Sequence, residues 1–514
     1  MMSGTDPNAP QEPEAQAEAA AIAEGGCHGG KETMQEAAKK AGKSAVLEQL
    51  QKDYPTGPHD QPQSMCPAFG SLRVGLRMRR TATILSGSAC CVYGLTFTSH
   101  FYGARRTVGY VPFNSESLVT GELYQDIENA VRKTADPENY DAIVVTNLCV
   151  PTASGIPLDR LPSEIDGVRI IGIDVPGFGV PTHAEAKDIL AGAMLRYARQ
   201  EAEQGPVPKP RSHEEGQRTV SLIGEMFPGD MVGVGQLLEP MGLKVAPQLP
   251  AREWRDLYAA LDSEVAAAVH PFYTQTVREF HRAGRPVVGS APVGVEGTTE
   301  WLQGVGEAAG IAQKDIDTAK NKAALSVRTA ISENPINARL TVSGYEGSEL
   351  LVARLLIEAG AEVPYCGTAC PRTEWSKADL DWLDAHGCHV EYRASLETDV
   401  DAMKAVGPDL AIGTTPLVQQ AKEMGWPAIY FTNMVSARPL FGPAGVSALA
   451  NIVATQTAGK DRFKEMLAFF EGVGEGQATG YGFEMGNKRS RRRAQPDPEQ
   501  AEKADTGVAD SIGV

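Results

Sequence analysis

The sequence contains no run approaching the ~18 consecutive apolar residues of a membrane-spanning helix. Its N-terminus has neither a basic stretch nor an apolar one, which excludes a secretory signal and leads us to expect a cytoplasmic protein. Basic residues are under-represented, 48 against 65 acidic, and the net charge of −17 argues against nucleic acid as a partner. The nine histidines form no HExxH pattern, and the eight cysteines include no paired CxxC, so a structural zinc site is not expected. Without export signals the cysteines are poor candidates for a disulfide framework. Metal binding, catalysis and core packing remain open for them. There is no GxxxxGK[ST] loop, and Gly172-Ile173-Asp174-Val175-Pro176-Gly177 does not match GxGxxG. A nucleotide site of the chain's own is therefore not expected.

What is present is an ordinary globular composition, 42% hydrophobic and 22% charged, over 514 residues. That length suggests about three domains. Residues 1–57 read as a flexible acidic extension carrying one short helix over residues 31–53. Residues 461–514 read as a helix followed by a disordered tail, with a basic knot at Lys488-Arg489-Ser490-Arg491-Arg492-Arg493. Between them, short apolar strands alternate with helical stretches. The first block (58–213) offers strands at 81–85, 107–111, 141–145 and 168–173, with a helix over 121–133. The second (214–335) offers 219–222, 244–245 and 286–288. The third (336–460) offers 340–342, 362–365, 390–392, 410–412 and 428–430. This alternation predicts α/β architecture, with three tandem Rossmann-like doubly wound domains built on mainly parallel sheets and flexible termini. Ligands in such sheets collect at the carboxyl ends of strands.

Three cysteine loops fall in the first block: Cys66-Pro67-Ala68-Phe69-Gly70, Gly87-Ser88-Ala89-Cys90-Cys91-Val92-Tyr93-Gly94, and Thr146-Asn147-Leu148-Cys149-Val150-Pro151. Cys91 and Cys149 each come just after a strand, so a parallel sheet brings both to one carboxyl edge, with Cys66 entering from the segment before the first strand. Soft thiolates at one edge suit an iron–sulfur centre, and a 4Fe–4S cubane needs four ligands. Neighbouring side chains in an extended turn diverge, so Cys90 and Cys91 are poorly placed to serve one cubane together. Three good ligands with no fourth suggest a ligand from another chain. Buried core thiols are the plain alternative, and spacing does not exclude them. For Cys366, Cys370 and Cys388, in the third block, packing is the simpler reading. Gly344-Tyr345-Glu346-Gly347, at a strand-to-helix turn, could hold an anion or be a turn only.

These three loops, together with Thr120-Gly121-Glu122-Leu123 and the stretch from Tyr430 to Gly442, resemble the nitrogenase-like reductases, and more closely the Y-type subunits of chlorophyllide a reductases. The resemblance runs from about residue 25 to about residue 485 and implies a nitrogenase component-1-like fold. It implies a part in bacteriochlorophyll synthesis, the dark reduction of the carbon 7–carbon 8 double bond in ring B of chlorophyllide a. It implies a heterotetramer of two Y-type and two Z-type subunits, fed by a separate X-type iron protein that hydrolyses ATP and draws electrons from ferredoxin. Cys66, Cys91 and Cys149 match the family's ligand positions for a shared 4Fe–4S cluster, with a Z-subunit cysteine completing it. The pigment would occupy an apolar cavity with polar proton donors, for which His183, Asp174 and Glu346 are candidates. Arg73, Arg105 and Arg106 could meet the pigment's propionate or the iron protein, and Arg73 and Arg77 could steer an acidic partner to the cluster edge. Two alternatives stand beside this reading: a protochlorophyllide reductase subunit acting on ring D, and a metallocluster scaffold without activity. The Cys90-Cys91 pair and the Ala437-to-Gly442 stretch favour ring B.

Overall fold

Strands buried on both faces set the architecture. The computed structural model describes residues 66–101, 108–211, 216–435 and 438–462, with Gln63, Glu214 and Glu465. The basic knot and both tails expected from the sequence lie outside these residues, as do Arg105 and Arg106, and of the expected terminal helix only Asp461, Arg462 and Glu465 fall within them, all helical. β1 (Thr81–Ser86) and β3 (Ala142–Asn147) are buried along their whole length. Such strands need helices on each side, and their polar members are small: threonine, serine and one asparagine. With β2 (Val108–Val111), β4 (Glu164–Ile165) and β5 (Val168–Asp174) they form a sheet in the order β2-β1-β3-β5-β4. All pairs are parallel except β4 with β5. That pair is a two-residue hairpin whose turn residues Asp166 and Gly167 both have positive φ, 50° and 83°. Such turns match strand twist and favour glycine.

The second sheet contains β6 (Thr219–Leu222), β7 (Lys244–Val245), β8 (Val265–Ala267) and β9 (Val287–Val288), ordered β7-β6-β8-β9 and all parallel. The third contains β10 (Arg339–Ser343), β11 (Glu362–Thr368), β12 (His389–Tyr392), β13 (Leu410–Gly413) and β14 (Ala428–Tyr430), ordered β12-β11-β10-β13-β14 and again all parallel. Every strand expected from the sequence is present within two residues at each end, except that β11 runs three residues further. β4 and β8 were not expected. β8 is Val-Ala-Ala, too short and too alanine-rich to stand out as a strand.

Helices cover the sheets as their periodicity dictates. Glu122–Thr134 buries Leu123, Ile127 and Val131, one side chain per turn, and turns its charged face outward. The 22-residue helix His183–Gln204 is capped by Thr182, whose hydroxyl accepts from the Glu185 amide at 3.3 Å. The apolar cores are shared between sheets: one joins Val220 and Leu222 to Leu340 and Val342, another joins Leu85 and Val144 to Ala266 and Ala268. Among the described residues no helix is long and apolar enough to cross a membrane.

Candidate functional site

β1, β3 and β5 are adjacent, and their registers pair Ser86 with Asn147 and Asn147 with Asp174, so their carboxyl ends are level. Cys91 lies in the first turn of helix Ala89–Phe101 after β1, and Cys149 opens helix Cys149–Ala153 after β3. The loop after β5 brings the Gly177 amide to the Cys149 sulfur, donating at 3.1 Å. Gly87 lets the first two loops close together, because a Cβ there would stand 2.5 Å from Leu148 Cδ1. Cys66 precedes helix Ala68–Arg77, and its carbonyl accepts from the Phe69 amide at 3.0 Å.

The thiols sense one another. Burial raises Cys66, and the charge of Cys149 adds to the rise. Cys66 keeps an exposed edge, yet its sulfur is enclosed enough for desolvation to dominate. Burial pushes Cys91 up to about 11, helped by Cys90, Cys66 and Cys149. Mutual repulsion of this kind keeps free thiols protonated, and a cationic group bound among them would displace those protons. Cys90 is different. It is exposed, lies 3.0 Å from the Ser88 hydroxyl, and that hydrogen bond lowers its pKa. Among the described residues no three His, Cys, Asp or Glu side chains form a single-ion site. The three thiols stand instead on separate segments of one edge, an arrangement open to a group of several metal atoms. The helix after Cys91 and the loop after β5 also carry exposed aromatic rings. Tyr93 is 75% and Phe97 64% exposed, the two stacked with centroids 6.5 Å apart, and Phe178 beside Gly177 is 59% exposed.

The three proton-donor candidates separate. Asp174 stays at the thiol edge, accepting from Asn147 Nδ2 at 3.0 Å and Thr152 Oγ1 at 3.2 Å, which ties β5 to β3. His183 and Glu346 come together elsewhere, His183 Nε2 lying 2.8 Å from Glu346 Oε2, with the Thr432 hydroxyl on the other carboxylate oxygen at 2.8 Å. They adjoin a cleft lined by Arg73, Arg77, Lys187, Glu225, His270 and Glu346, where two helices flanking the first sheet meet the carboxyl ends of strands from the second and third. Glu225 accepts Lys187 at 2.8 Å and Arg77 at 2.5 Å, and Arg73 lies at 3.4 Å. Burial alone would raise both carboxyls. Lys187, Arg73 and Arg77 instead hold Glu225 well below the usual range, and His183, Lys187 and Arg73 do the same for Glu346. Burial and then Lys187 press His270 down to about 4, so it is neutral near pH 7.

One expectation is corrected here. The cleft beside His183 and Glu346 is charged rather than apolar. Arg73 and Arg77 turn toward Glu225 in this cleft, Arg77 remaining half-exposed. The amides of Glu346 and Gly347 in the 344–347 turn do hold an anion, but it is the carboxylate of Glu349 from the same chain. Cys366, Cys370 and Cys388 are buried in the core of the third sheet. Sequence reasoning missed Lys187, Glu225 and His270. Lys187 stands one turn after His183 on the same helix, and Glu225 lies just past the expected β6, so the carboxyl-edge rule was the available signal for it, whereas His270 follows the unexpected β8.

Residues 66–457 match the family of nitrogenase component 1 type oxidoreductases. The 52.5 kDa chains of chlorophyllide reductase from Cereibacter sphaeroides and Rhodobacter capsulatus are each 62% identical to this chain. The first aligns over 479 residues, 93% of both chains, and the second over 458, 89% of this chain and 92% of the other. Subunit N of the light-independent protochlorophyllide reductase of Prochlorococcus marinus is 23% identical over 248 residues, 47% of this chain and 59% of that one. A solved structure described as nitrogenase Cp1 at pH 6.5 superposes with a TM-score of 0.63 at 18% identity, covering 78% of this chain and 93% of the other, a likeness of fold. With a family match across most of its length and full-length relatives at 62% identity, the chain belongs to the nitrogenase component 1 type oxidoreductases, alongside the 52.5 kDa chains of chlorophyllide reductase.

Proposed function

We propose that the chain is the Y-type subunit of the catalytic component of a dark-operative chlorophyllide a reductase, reducing the carbon 7–carbon 8 bond of ring B in bacteriochlorophyll synthesis. The observation that carries this is 62% identity to chlorophyllide reductase chains over nearly the whole length, against 23% to the protochlorophyllide enzyme. Three thiols on one sheet edge, with a backbone amide aimed at one sulfur, are the donor set of an iron–sulfur site. Cys66, Cys91 and Cys149 would hold a 4Fe–4S cluster, with a cysteine of the Z-type subunit as fourth ligand. Bound there, the cluster supplies one-electron transfer at low potential, the electrons coming from the X-type iron protein, where ATP is hydrolysed. The Gly177 N–H stabilises negative charge on the Cys149 sulfur.

Tyr93, Phe97 and Phe178 leave apolar surface open beside the thiols, and the Z-type subunit would cover it. The cleft beside His183 is lined by charge, so the pigment belongs on this open apolar side, where the partner completes its pocket. Glu346 is held as a carboxylate, so the proton of its pair with His183 rests on Nε2. His183, Glu346 and Asp174 are the chain's candidates for holding and moving protons. The test is co-expression with the Z-type partner, iron counting on the anaerobic complex, and a chlorophyllide a assay with iron protein and ATP. One 4Fe–4S per heterodimer and turnover of chlorophyllide a are expected. An iron-free complex, or turnover confined to protochlorophyllide, would sink the proposal.

A further inference from the structure

Cys66 lies at the start of helix Ala68–Arg77, which has no side-chain cap to fix its first turn. Three residues earlier, Gln63 is 6% exposed and reaches more than 330 residues along the chain to the carboxyl edge of the third sheet. Its amide nitrogen donates to Asp399 Oδ2 at 2.5 Å and to the Ala394 carbonyl at 3.2 Å, and its amide oxygen accepts from the Thr414 hydroxyl at 3.0 Å. Asp399 in turn accepts from the hydroxyls of Tyr345 at 2.9 Å and Tyr365 at 2.6 Å. Asp399, Tyr345 and Tyr365 are all buried. Only a primary amide serves this socket, because it offers two donors and an acceptor on one planar group. A carboxylate would face Asp399 with like charge, and an ammonium could not accept from Thr414.

We propose that Gln63 is a positioning residue for Cys66: the third sheet, through Asp399, Ala394 and Thr414, fixes where the first thiol of the shared edge stands. The proposal rests on the reading of Cys66 as a cluster ligand, but the anchor itself is a property of this chain alone. The family match begins at residue 66, so Gln63 lies just outside it while its three partners lie within. The anchor makes the thiol site a joint product of two sheets, although all three of its cysteines sit against the first.

The experiment uses the full chain co-purified with its partner subunit, both as isolated and after chelation of its iron. Iodoacetamide labelling of the chelated complex, read out by peptide mass spectrometry, compares Cys66 with Cys91 and Cys149 as internal references. Gln63→Ala should speed labelling of Cys66 about tenfold relative to Cys149, the scale of losing its hydrogen bonds. In the untreated complex it should lower iron content and alter the paramagnetic resonance line shape. Gln63→Met keeps the volume and removes every hydrogen bond, so the same result there excludes a packing defect. Unchanged labelling of Cys66 in both variants would overturn the proposal, as would equal acceleration at all three cysteines. An unmodified complex without iron would overturn the cluster reading alone, and the labelling ratio would still decide the anchor.

Discussion

Neutralising Glu225 should loosen the junction of the three sheets, and the structure sets the scale. Its carboxylate is only 13% exposed and faces Lys187, 4% exposed, at 2.8 Å, with Arg77 and Arg73 beyond. In Glu225→Gln, Lys187 keeps only Glu346, 3.8 Å away. Stranding a buried charge costs roughly 3–5 kcal/mol. The amide oxygen still accepts one hydrogen bond, and half-exposed Arg77 contributes little after solvent screening. We therefore expect a loss near the lower end, about 3 kcal/mol, and a fall in Tm of roughly 5 °C by calorimetry. Lys187→Met should cost a similar amount by stranding Glu225 beside the arginines. Because the two groups answer each other, the double variant should cost at least ~1 kcal/mol less than the sum of the singles. Strict additivity, or a Tm for Glu225→Gln within about 1 °C of the unmodified chain, would show that the cleft is not held by this pair.

Stability should fall as pH drops from about 6.5 toward 4, because the unfolded chain gains a proton on His270 that the folded chain, with its pKa pressed to about 4, refuses. The loss from this residue is roughly 3 kcal/mol when complete, and denaturation midpoints measured against pH should lose that slope in His270→Phe. Glu225 and Glu346, held low, add stability that is present above their ordinary range and lost as pH falls below it, so the slope should steepen under about pH 4.3. Ser in place of Cys66, Cys91 or Cys149 should abolish the iron of the co-purified complex by metal analysis, whereas Cys90→Ser should keep it. Ser at Cys366, Cys370 or Cys388 should keep the iron at a cost of about 1–3 kcal/mol from burying a hydroxyl. Phe97→Asp should weaken association with the partner by at least about tenfold in sedimentation or calorimetry, since an aromatic anchor is lost and a charge is desolvated.

The fold was legible because parallel sheets write themselves in the chain. A strand covered on both faces admits few side chains beyond apolar and small hydroxyl ones, so β1, β3, β10 and β13 appear as short runs of Val, Ile, Leu, Ala and Thr separated by helical stretches. β8 escaped because three residues of Val and Ala carry no period, and β4 because its two residues owe their pairing to the turn at Asp166 and Gly167. The thiol edge was legible for the same reason as the sheet. Once β1 and β3 are placed, parallel pairing puts the loops leaving their carboxyl ends on one side, and those loops carry Cys91 and Cys149.

The cleft was not legible, and the reason is physical. Its members come from a helix before β1, a helix after β5, and the ends of strands in two further sheets, so no local spacing relates them. An apolar pigment also suggests a greasy cavity, which drew the expectation away from charge. Yet a point where the carboxyl ends of two sheets meet helices of a third gathers exposed amides, helix starts and polar loop residues, and burying them demands internal charge pairing. Arg73 and Arg77 illustrate the error. On sequence they are two basic residues in the segment between the Cys66 loop and the first strand, and they read as facing a partner. In the fold the opposite face of that helix packs on the first sheet, and Glu225, arriving from the second, claims both guanidiniums. A charge's role is decided by which buried group of opposite sign reaches it, and that information resides in the packing of one sheet against another.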